Sequence, residues 1–161
     1  MNIIDVTNVL FIKNNKVLLG YKKRGFGKQK YNGFGGKLKT GETIEMAAIR
    51  EAKEEAGLTM KKYYKAGEID FADSYPLRMH LFVCTEWSGT VAESDEMMPT
   101  WFNFDEVPVN EMWDDDKYWF HLAISGQRFR ASFVFESDND ITGTAENKVV
   151  SYAITLVDTL D

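Results

Sequence analysis

Carboxylate side chains are crowded into one short stretch of the sequence. Glu51, Glu54 and Glu55 are three and four residues apart, in a segment whose apolar residues recur at helical intervals. On a helix that turns by about 100° per residue, Glu51 and Glu55 fall beside Ala48, on the stripe that faces the protein. Carboxylates that neighbour each other on a helix repel, and more strongly where water is excluded. The pattern indicates either a bound cation or a solvated acidic helix face.

Magnesium is the cation whose chemistry suits such a cluster. Mg²⁺ prefers hard oxygen ligands and keeps several coordinated waters, which leaves room for phosphate oxygens or for an attacking water. We therefore expect Mg²⁺ as the cofactor, with Mn²⁺ as a substitute.

Cations are concentrated just before the acidic stretch. Five Lys or Arg residues occupy the nine positions from Lys22 to Lys30, around Gly25 and Gly27. Such a segment is either a solvated loop between two strands or a docking site for phosphates. Its position beside the acidic stretch favours phosphates.

The acidic stretch also has the spacing of a known motif, which covers residues 36–58. Its defined positions are Gly36, Glu42, Arg50, Glu51, Glu54, Glu55, Gly57 and Leu58. All of them match the Nudix box, and only Ala52 is small for its aliphatic position. The sequence therefore resembles the Nudix hydrolases, which cleave a nucleoside diphosphate linked to another group. The resemblance implies an α+β fold in which a mixed β-sheet is sandwiched between α-helices.

The resemblance also implies roles for individual residues. One box carboxylate would act as the general base, for which we favour Glu51, and Arg50 would orient the carboxylates through a pair with Glu54. The alternatives are a surface ion pair for Arg50 and simple solvated acidity for the loop that carries Glu96. The implied catalytic residues are Arg50, Glu51, Glu54 and Glu55. The implied metal ligands are Glu51, Glu55, Glu96 and the backbone carbonyl of Gly36.

Four segments outside the box carry a closer resemblance, namely residues 20–27, 31–37, 93–97 and 112–120. They are similar to the MutT-type members of the family, which hydrolyse oxidised purine nucleoside triphosphates. This similarity is lost in residues 137–148. An aromatic slot with mixed donors and acceptors suits a purine on chemical grounds as well. The implied substrate-binding residues are Thr7, Lys22, Phe26, Asn32, Phe71, Met97, Trp113, Asp115, Asp116 and Trp119.

Two of these residues are adjacent carboxylates. If Asp115 and Asp116 are shielded from water, they cannot both ionise readily, so one is expected to be protonated and able to donate to a base. Such a pair would accept either oxidised guanine or oxidised adenine. The alternative is that Asp114, Asp115 and Asp116 cap the following helix while Trp113 and Trp119 fill the core.

The sequence thus predicts a Mg²⁺-dependent pyrophosphohydrolase that sanitises the nucleotide pool. It would convert oxidised purine (deoxy)nucleoside triphosphates, such as 8-oxo-dGTP and 2-oxo-dATP, to the monophosphate and pyrophosphate. One alternative is a Nudix hydrolase of undamaged or methylated nucleotides, ADP-ribose or dinucleoside polyphosphates. A second is a nucleotide-binding domain without catalysis. An isopentenyl-diphosphate isomerase would need a catalytic cysteine, and Cys84 lies in an apolar strand pattern.

Composition sets the remaining expectations. A chain of 161 residues with 44% hydrophobic residues suits one domain over residues 1–161. A net charge of -6 disfavours binding to nucleic-acid polymers, and a single cysteine rules out an intrachain disulfide. No run approaches the about 18 apolar residues of a membrane span. We expect a cytoplasmic monomer whose partner is a nucleotide and not a membrane.

Hydrophobic periodicity predicts the elements that must position these side chains. The box should begin as a glycine-rich turn and become a helix that ends at Gly57. A second helix is predicted at residues 114–124, and a turn or small helix at Asp105. The predicted strands are residues 6–12, 16–21, 62–71, 77–87, 100–104, 129–136 and 149–156.

Overall fold

The computed structural model describes residues 2–136 and 147–160. The strands are β1 (Ile4–Lys13), β2 (Lys16–Lys22), β3 (Tyr31–Asn32), β4 (Thr59–Asp70), β5 (Leu77–Ser88), β6 (Met97–Asn103), β7 (Arg128–Phe135) and β8 (Val149–Val157). The helices are α1 (Ile44–Ala56) and α2 (Asp116–Ile124). Short 3₁₀ turns occupy Phe104–Glu106 and Val109–Glu111. No helix in these two ranges is both long and apolar enough to cross a membrane.

The strands form one mixed sheet in the order β3-β2-β1-β5-β4-β7-β8, and β6 also pairs with β2. The pairs β1–β5 and β4–β7 are parallel, whereas β1–β2, β4–β5 and β7–β8 are antiparallel. Parallel neighbours need long crossover connections, and the connection from β1 to β5 carries α1 while that from β4 to β7 carries α2. The predicted α+β sandwich is confirmed.

Side chains alternate between the two faces of the sheet, and each face packs against one helix. Val9 and Phe11 lie in the cluster that contains the α1 residues Ala48 and Ala52, whereas Leu10 packs on the α2 side. Ala52 is fully buried. A small residue at this position lets the helix backbone come close to the sheet, which accounts for the short side chain in an aliphatic position of the box.

Most predicted elements are present, with shifted boundaries. The β1–β2 hairpin turns at Asn14 and Asn15, whose φ angles of 54° and 60° are left-handed. By contrast, β4 and β6 begin three residues earlier than predicted, and α2 begins at Asp116 instead of Asp114. The early start of β6 follows from the pairing of Met97 with Lys22, a long-range contact that local periodicity does not reveal. The short strand β3 was not predicted. Of the segment 137–148, residues 137–146 lie outside the described residues.

Both ends of α1 are fixed. The side chain of Thr43 accepts a hydrogen bond from Met46 N at 3.1 Å, which caps the first turn. Gly57 ends the helix with φ of 77° and donates its N–H to Lys53 O. Ala92 N then donates to Ala56 O at 2.9 Å. This contact docks the acidic loop that carries Glu96 onto the end of the helix.

Gly57→Ala is expected to destabilise the fold more than Gly126→Ala does. Both glycines have left-handed φ angles, 77° and 84°, where a Cβ costs about 1–2 kcal/mol. A Cβ at Gly57 would also lie 2.9 Å from Thr90 O, whereas a Cβ at Gly126 would meet nothing within 4 Å. Urea unfolding of the two variants measures the difference. Equal losses would show that the loop after β5 does not restrain the end of α1.

Candidate active site

Two cavities adjoin at the edge of the sheet. The larger, of about 550 Å³, lies largely on the α2 face, and the smaller, of about 450 Å³, lies beside α1. Lys22, Gly35, Gly36 and Glu55 line both of them. The smaller cavity contains the box carboxylates and the acidic loop, and the larger contains the predicted base-binding residues. The shared residues place the two sets of groups within reach of one elongated ligand.

The glycine segment runs unusually close to β1. Val9 N donates to Phe34 O at 2.7 Å, and Thr7 N donates to Gly36 O at 2.9 Å. A Cβ at Gly35 would lie only 1.8 Å from Thr7 O, so glycine is required there. This close approach points the N–H of Gly35 at α1, where it donates to Glu55 Oε1 at 2.9 Å.

Glu55 is a buried carboxylate, as its helical position predicts. Its side chain is 6% exposed. Burial raises the pKa of Glu55 to about 7, the N–H of Gly35 opposes this, and the negative charges of Glu51 and Glu96 add to it. Glu54, at the edge of the same arc, is half exposed. The acidic face of α1 therefore divides into a buried and a solvated part.

Arg50 holds the carboxylates of the box in place. Its Nε and Nη2 donate to the two oxygens of Glu42 at 2.7 and 2.9 Å, and its Nη1 donates to Glu51 at 2.7 Å. The predicted pair with Glu54 is also present, at 3.2 Å. These contacts lower the pKa of Glu42 to about 2, chiefly through the hydrogen bond from Arg50. The bidentate Glu42 contact was missed because Glu42 precedes the helix and has no helical spacing to Arg50.

The basic segment is docked on the acidic loop. Lys22 Nζ lies 3.1 Å from Glu96 Oε2, and Arg24 Nε lies 3.3 Å from Glu96 Oε1. Lys23 pairs with Glu93, and its backbone N donates to Glu96 O at 2.8 Å. The hydrogen bond from Lys22 lowers the pKa of Glu96. The segment is therefore not simply a solvated loop.

The predicted metal ligands line one cavity but have other partners in this structure. Arg50 holds Glu51, the Gly35 N–H holds Glu55, and two cations hold Glu96. Within residues 2–136 and 147–160, no three Asp, Glu, His or Cys side chains stand close enough together to hold a metal by themselves. The donor set is nevertheless all oxygen. Burial, with a smaller part from the charges of Glu51 and Glu96, raises the pKa of Glu55, and a cation would favour its ionised form. These residues fit a hard divalent cation, the type of metal that Nudix hydrolases generally use.

A narrow cradle at Gly36 supports this fit. A Cβ at that position would lie 3.1 Å from the carboxyl carbon of Glu51, so a larger residue would push this carboxylate aside. The carbonyl of Gly36 accepts from Thr7 N at 2.9 Å, and among the described residues its only other hydrogen bond is a long one, at 3.4 Å, from the Thr7 hydroxyl. A stronger partner could replace that contact at the second lone pair.

Aromatic side chains form the outer wall of the larger cavity. Phe26, which is 46% exposed, stacks on Trp113 with ring centroids 5.1 Å apart. Lys30 Nζ lies 5.3 Å from the centroid of the Trp113 ring. Nine of the ten predicted substrate-binding residues line this cavity: Thr7, Lys22, Phe26, Asn32, Phe71, Met97, Trp113, Asp115 and Asp116.

Trp119 is the exception, and its predicted place in the purine slot needs correction. Its side chain is 1% exposed and stacks on Phe129 in the core, behind the cavity wall. Its indole Nε1 donates to Asp115 Oδ2 at 2.8 Å. Trp119 therefore positions Asp115 instead of lining the slot. In this structure Trp119 lies in the core, whereas Trp113 lines the cavity.

Asp115 and Asp116 are buried together at the end of the cavity. They are 3% and 5% exposed. Burial raises the pKa of Asp115 to about 6, although the N–H of Trp119 favours its ionised form. Burial and the negative charge of Asp115 raise the pKa of Asp116 well above its ordinary value. Burial and mutual repulsion therefore disfavour ionisation of both carboxyl groups at the same time.

The three aspartates do not act as simple helix caps. Asp115 occupies the cap position but has helical backbone angles and no capping hydrogen bond from its side chain. Asp114 accepts from Val149 N at 2.9 Å and pairs with Lys117 at 2.9 Å, which ties β8 to α2. Asp114 is structural, whereas Asp115 and Asp116 face the cavity.

Sequence reasoning missed several lining residues. Ile4, Val6 and Asn8 alternate along β1 and present one face of the strand to the larger cavity, and Met79 of β5 lies beside them. The alternation of β1 was visible, and Asn8 stands out as a polar residue on an apolar strand face.

Comparisons with known proteins identify the family. The model of the NUDIX domain matches residues 1–123. An oxidized purine nucleoside triphosphate hydrolase of Danio rerio is 47% identical over 139 residues, which cover 84% of this chain and 89% of the relative. The enzyme of the same name from Mus musculus is 41% identical over 149 residues, covering 91% and 96%.

Solved structures agree with this result. The crystal structure of a mutator MutT protein from Bacillus halodurans superposes with a TM-score of 0.76 at 26% identity and covers 94% of this chain and 97% of that one. An ADP-ribose pyrophosphatase of Streptococcus suis shares the fold alone, with a TM-score of 0.53 at 18% identity over 65% of this chain and 77% of that one. The match over residues 1–123 and the two relatives show that the chain belongs to the Nudix hydrolase family.

Proposed function

We propose that this Nudix hydrolase cleaves oxidised purine nucleoside triphosphates to the monophosphate and pyrophosphate, with Mg²⁺ as its metal and Mn²⁺ as a substitute. The observation that carries the proposal is the buried Asp115–Asp116 pair in an aromatic cavity that opens onto the box carboxylates. The names of the zebrafish and mouse relatives, which align over most of the chain, support the same substrate class.

The reaction adds one water to the triphosphate. The oxygen of water attacks phosphorus, the bond from phosphorus to the bridging oxygen breaks, and the two products leave as monophosphate and pyrophosphate. Glu51 is the proposed base that takes the proton of the water, and Arg50 Nη1 orients it from 2.7 Å. Lys22 lies where the two cavities meet and offers a positive charge to the phosphates.

The proposed metal ligands are the carbonyl of Gly36 and the side chains of Glu51, Glu55 and Glu96. A divalent cation bound there supplies charge neutralisation for the phosphoryl oxygens and orients the attacking water. Burial and the hydrogen bond from the Gly35 N–H hold the Glu55 carboxylate in place for this role.

The larger cavity is proposed to select the base. Trp113 and Phe26 offer flat faces for a purine, and Asn32 offers both a donor and an acceptor. The Asp pair adds a protonated and an ionised carboxyl group, so it can donate and accept at the same time. Guanine and adenine present different donors and acceptors on the same edge, and a pair with one mobile proton suits either.

The setting of the enzyme is also part of the proposal. We infer a single domain over residues 1–161 that acts as a cytoplasmic monomer on free nucleotides and neither on nucleic-acid polymers nor at membranes. The net charge of -6 supports the preference for a small ligand, because a polyanion would be repelled by most of the surface.

Oxidised purines should be preferred over undamaged ones. With purified protein and Mg²⁺, kcat/KM for 8-oxo-dGTP and 2-oxo-dATP is expected to exceed that for dGTP and dATP by about tenfold or more, the discrimination that one or two hydrogen bonds provide. Pyrophosphate release and identification of the nucleotide product measure it. Methylated nucleotides, ADP-ribose and dinucleoside polyphosphates complete the panel. Equal rates on oxidised and undamaged purines would overturn the substrate assignment.

Glu55→Gln is expected to reduce kcat by about two orders of magnitude or more, because a neutral amide cannot replace a carboxylate ligand. The amide oxygen can still accept from Gly35 N, so the circular dichroism spectrum should be unchanged. Glu45→Gln is the matched control, since Glu45 lies on the exposed face of the first turn of α1. Turnover of Glu55→Gln close to that of Glu45→Gln would rule out the proposed metal site.

Substitution of Asp116 and of Asp114 by asparagine should change the free energy of unfolding in opposite directions. Burial raises the pKa of Asp116 above its ordinary value of 3.8. Ionisation of Asp116 therefore lowers the free energy of unfolding as the pH rises above 3.8. Asp116→Asn is expected to be more stable than the wild type at pH 8. The pKa of Asp114 is lowered, because hydrogen bonds from Val149 N and Lys117 outweigh its burial. Asp114 therefore contributes stability above pH 3.8, and Asp114→Asn is expected to be less stable at pH 8.

Urea unfolding at pH 5 and pH 8 measures both effects. The wild type should lose stability across the window from 3.8 to about 6 in which Asp115 titrates, with a further loss above it from Asp116. Asp116→Asn keeps an N–H that can donate to Asp115 and should show a shallower loss. A decrease in stability of both variants at pH 8 would contradict a shared proton in the pair.

A further inference from the structure

Asn8 is a polar residue on the floor of the larger cavity. It lies on β1 on the same face as Val6 and Ile4, which are apolar. Of the two adjoining cavities, Asn8 lines only the larger, away from most of the box carboxylates. Its amide therefore belongs to the end of the site proposed to bind the base, not to the end proposed to bind phosphates.

Neither end of this amide has a good partner in the protein. Asn8 Nδ2 donates to the thioether sulfur of Met79 at 3.4 Å, and sulfur is a weak acceptor. Asn8 Oδ1 is buried and has no hydrogen-bond partner. It lies against Gly33, where a Cβ would be 1.9 Å away. A leucine would occupy a similar volume without an unpaired polar atom, so packing does not account for an asparagine here.

We infer that Asn8 reads the oxidised edge of an 8-oxopurine, which deepens the proposed function and rests on it. Oxidation at C8 places a carbonyl at C8 and an N–H at N7, side by side. A carboxamide is complementary to this pair. Its NH₂ can donate to the C8 oxygen, and its oxygen, once the amide turns from Gly33 toward the cavity, accepts from N7–H. An undamaged purine has an acceptor at N7 and a carbon-bound hydrogen at C8, so it cannot form both bonds.

The other polar groups of the cavity leave this edge to Asn8. Asn32, Asp115 and Asp116 are the groups proposed above to hydrogen-bond the base, and we assign them to its Watson–Crick edge, which lies away from C8. The phosphates are proposed to lie toward Lys22 and Glu55, which line both cavities. Exchanging the thioether of Met79 for a carbonyl oxygen strengthens the hydrogen bond of Nδ2, so the ligand competes easily for the amide.

Asn8 should affect the hydrolysis of two oxidised substrates to different extents. In 2-oxo-dATP the added oxygen is at C2, on the other side of the base, and N7 remains an acceptor. Asn8 should therefore matter for 8-oxo-dGTP and much less for 2-oxo-dATP. In Asn8→Leu, the ratio of kcat/KM for 8-oxo-dGTP to that for 2-oxo-dATP is expected to fall about tenfold or more.

A second substrate pair separates hydrogen bonding from shape. In 8-bromo-dGTP a large substituent occupies C8, but N7 carries no hydrogen. The wild type should prefer 8-oxo-dGTP over 8-bromo-dGTP, and Asn8→Leu should lose most of that preference. Asn103→Leu is the matched control, because Asn103 is exposed on β6 and pairs with Glu106 far from the cavity. Asn103→Leu should keep the wild-type preference for 8-oxo-dGTP over both 2-oxo-dATP and 8-bromo-dGTP.

Stability provides a further readout. Asn8→Leu removes a buried unpaired oxygen, so its Tm without nucleotide is expected to equal or exceed that of the wild type. If this variant fails to fold, Asn8→Asp keeps the size and the acceptor while replacing the donor by an oxygen that repels the C8 carbonyl. Asn8→Asp should lower the ratio of kcat/KM for 8-oxo-dGTP to that for 2-oxo-dATP, and the ratio for 8-oxo-dGTP to that for 8-bromo-dGTP.

Each outcome decides a separate point. If the wild type shows no preference for either oxidised purine, the proposed function fails and the role of Asn8 fails with it. If the wild type shows the preference and Asn8→Leu retains both ratios, only the role of Asn8 is overturned. An equal loss of kcat/KM on all three substrates would overturn the role of Asn8 as well, because Asn8 would then shape the cavity without reading the oxidised edge.

Discussion

The close contact between the glycine segment and β1 is the constraint on which the rest of the site depends. Gly35 lies so near Thr7 that no side chain fits between the two backbones. With the segment pressed onto the strand, the Gly35 N–H points at Glu55 and holds that carboxylate in a buried position. The same contact brings Gly36 against the Glu51 carboxylate. This backbone contact therefore helps to position the box carboxylates Glu51 and Glu55.

Ion pairs also hold carboxylates of the site in place. Burial raises the pKa of Glu55 to about 7, and the negative charges of Glu51 and Glu96 add to this rise. Arg50 holds Glu42 and Glu51, while Lys22 and Arg24 hold Glu96. The basic segment and the acidic loop fix each other in this way, so neither behaves as a solvated loop. Both belong to the same cavity although about seventy residues separate them.

The sequence predicted the parts of the site that follow a local period or a fixed spacing. The burial of Glu55 and the end of α1 at Gly57 follow from helical spacing and the motif, whereas the aromatic residues of the cavity were implied by the resemblance to the MutT-type enzymes. What the sequence missed depends on contacts between distant segments. The bidentate Glu42–Arg50 pair crosses the start of a helix, β6 is extended by pairing with β2, and Trp119 lies behind Asp115 instead of beside the base. A pattern of alternating apolar residues shows that a strand has two different faces, but it does not show which face will line a cavity.

The strand β1 shows how one short element serves both ends of the site. Consecutive residues of a strand face opposite sides of the sheet. Thr7 places its hydroxyl at 3.4 Å from Gly36 O, on the side of the box, while Asn8 faces Met79 on the side of the base. A slip of one residue would exchange them and bury the wrong groups on each face. The parallel pairing of β1 with β5, continuous from Ile4–Leu77 to Phe11–Cys84, prevents that slip. The register of a buried strand thus fixes the distance between the phosphate and base ends of the site, which no side chain could do alone.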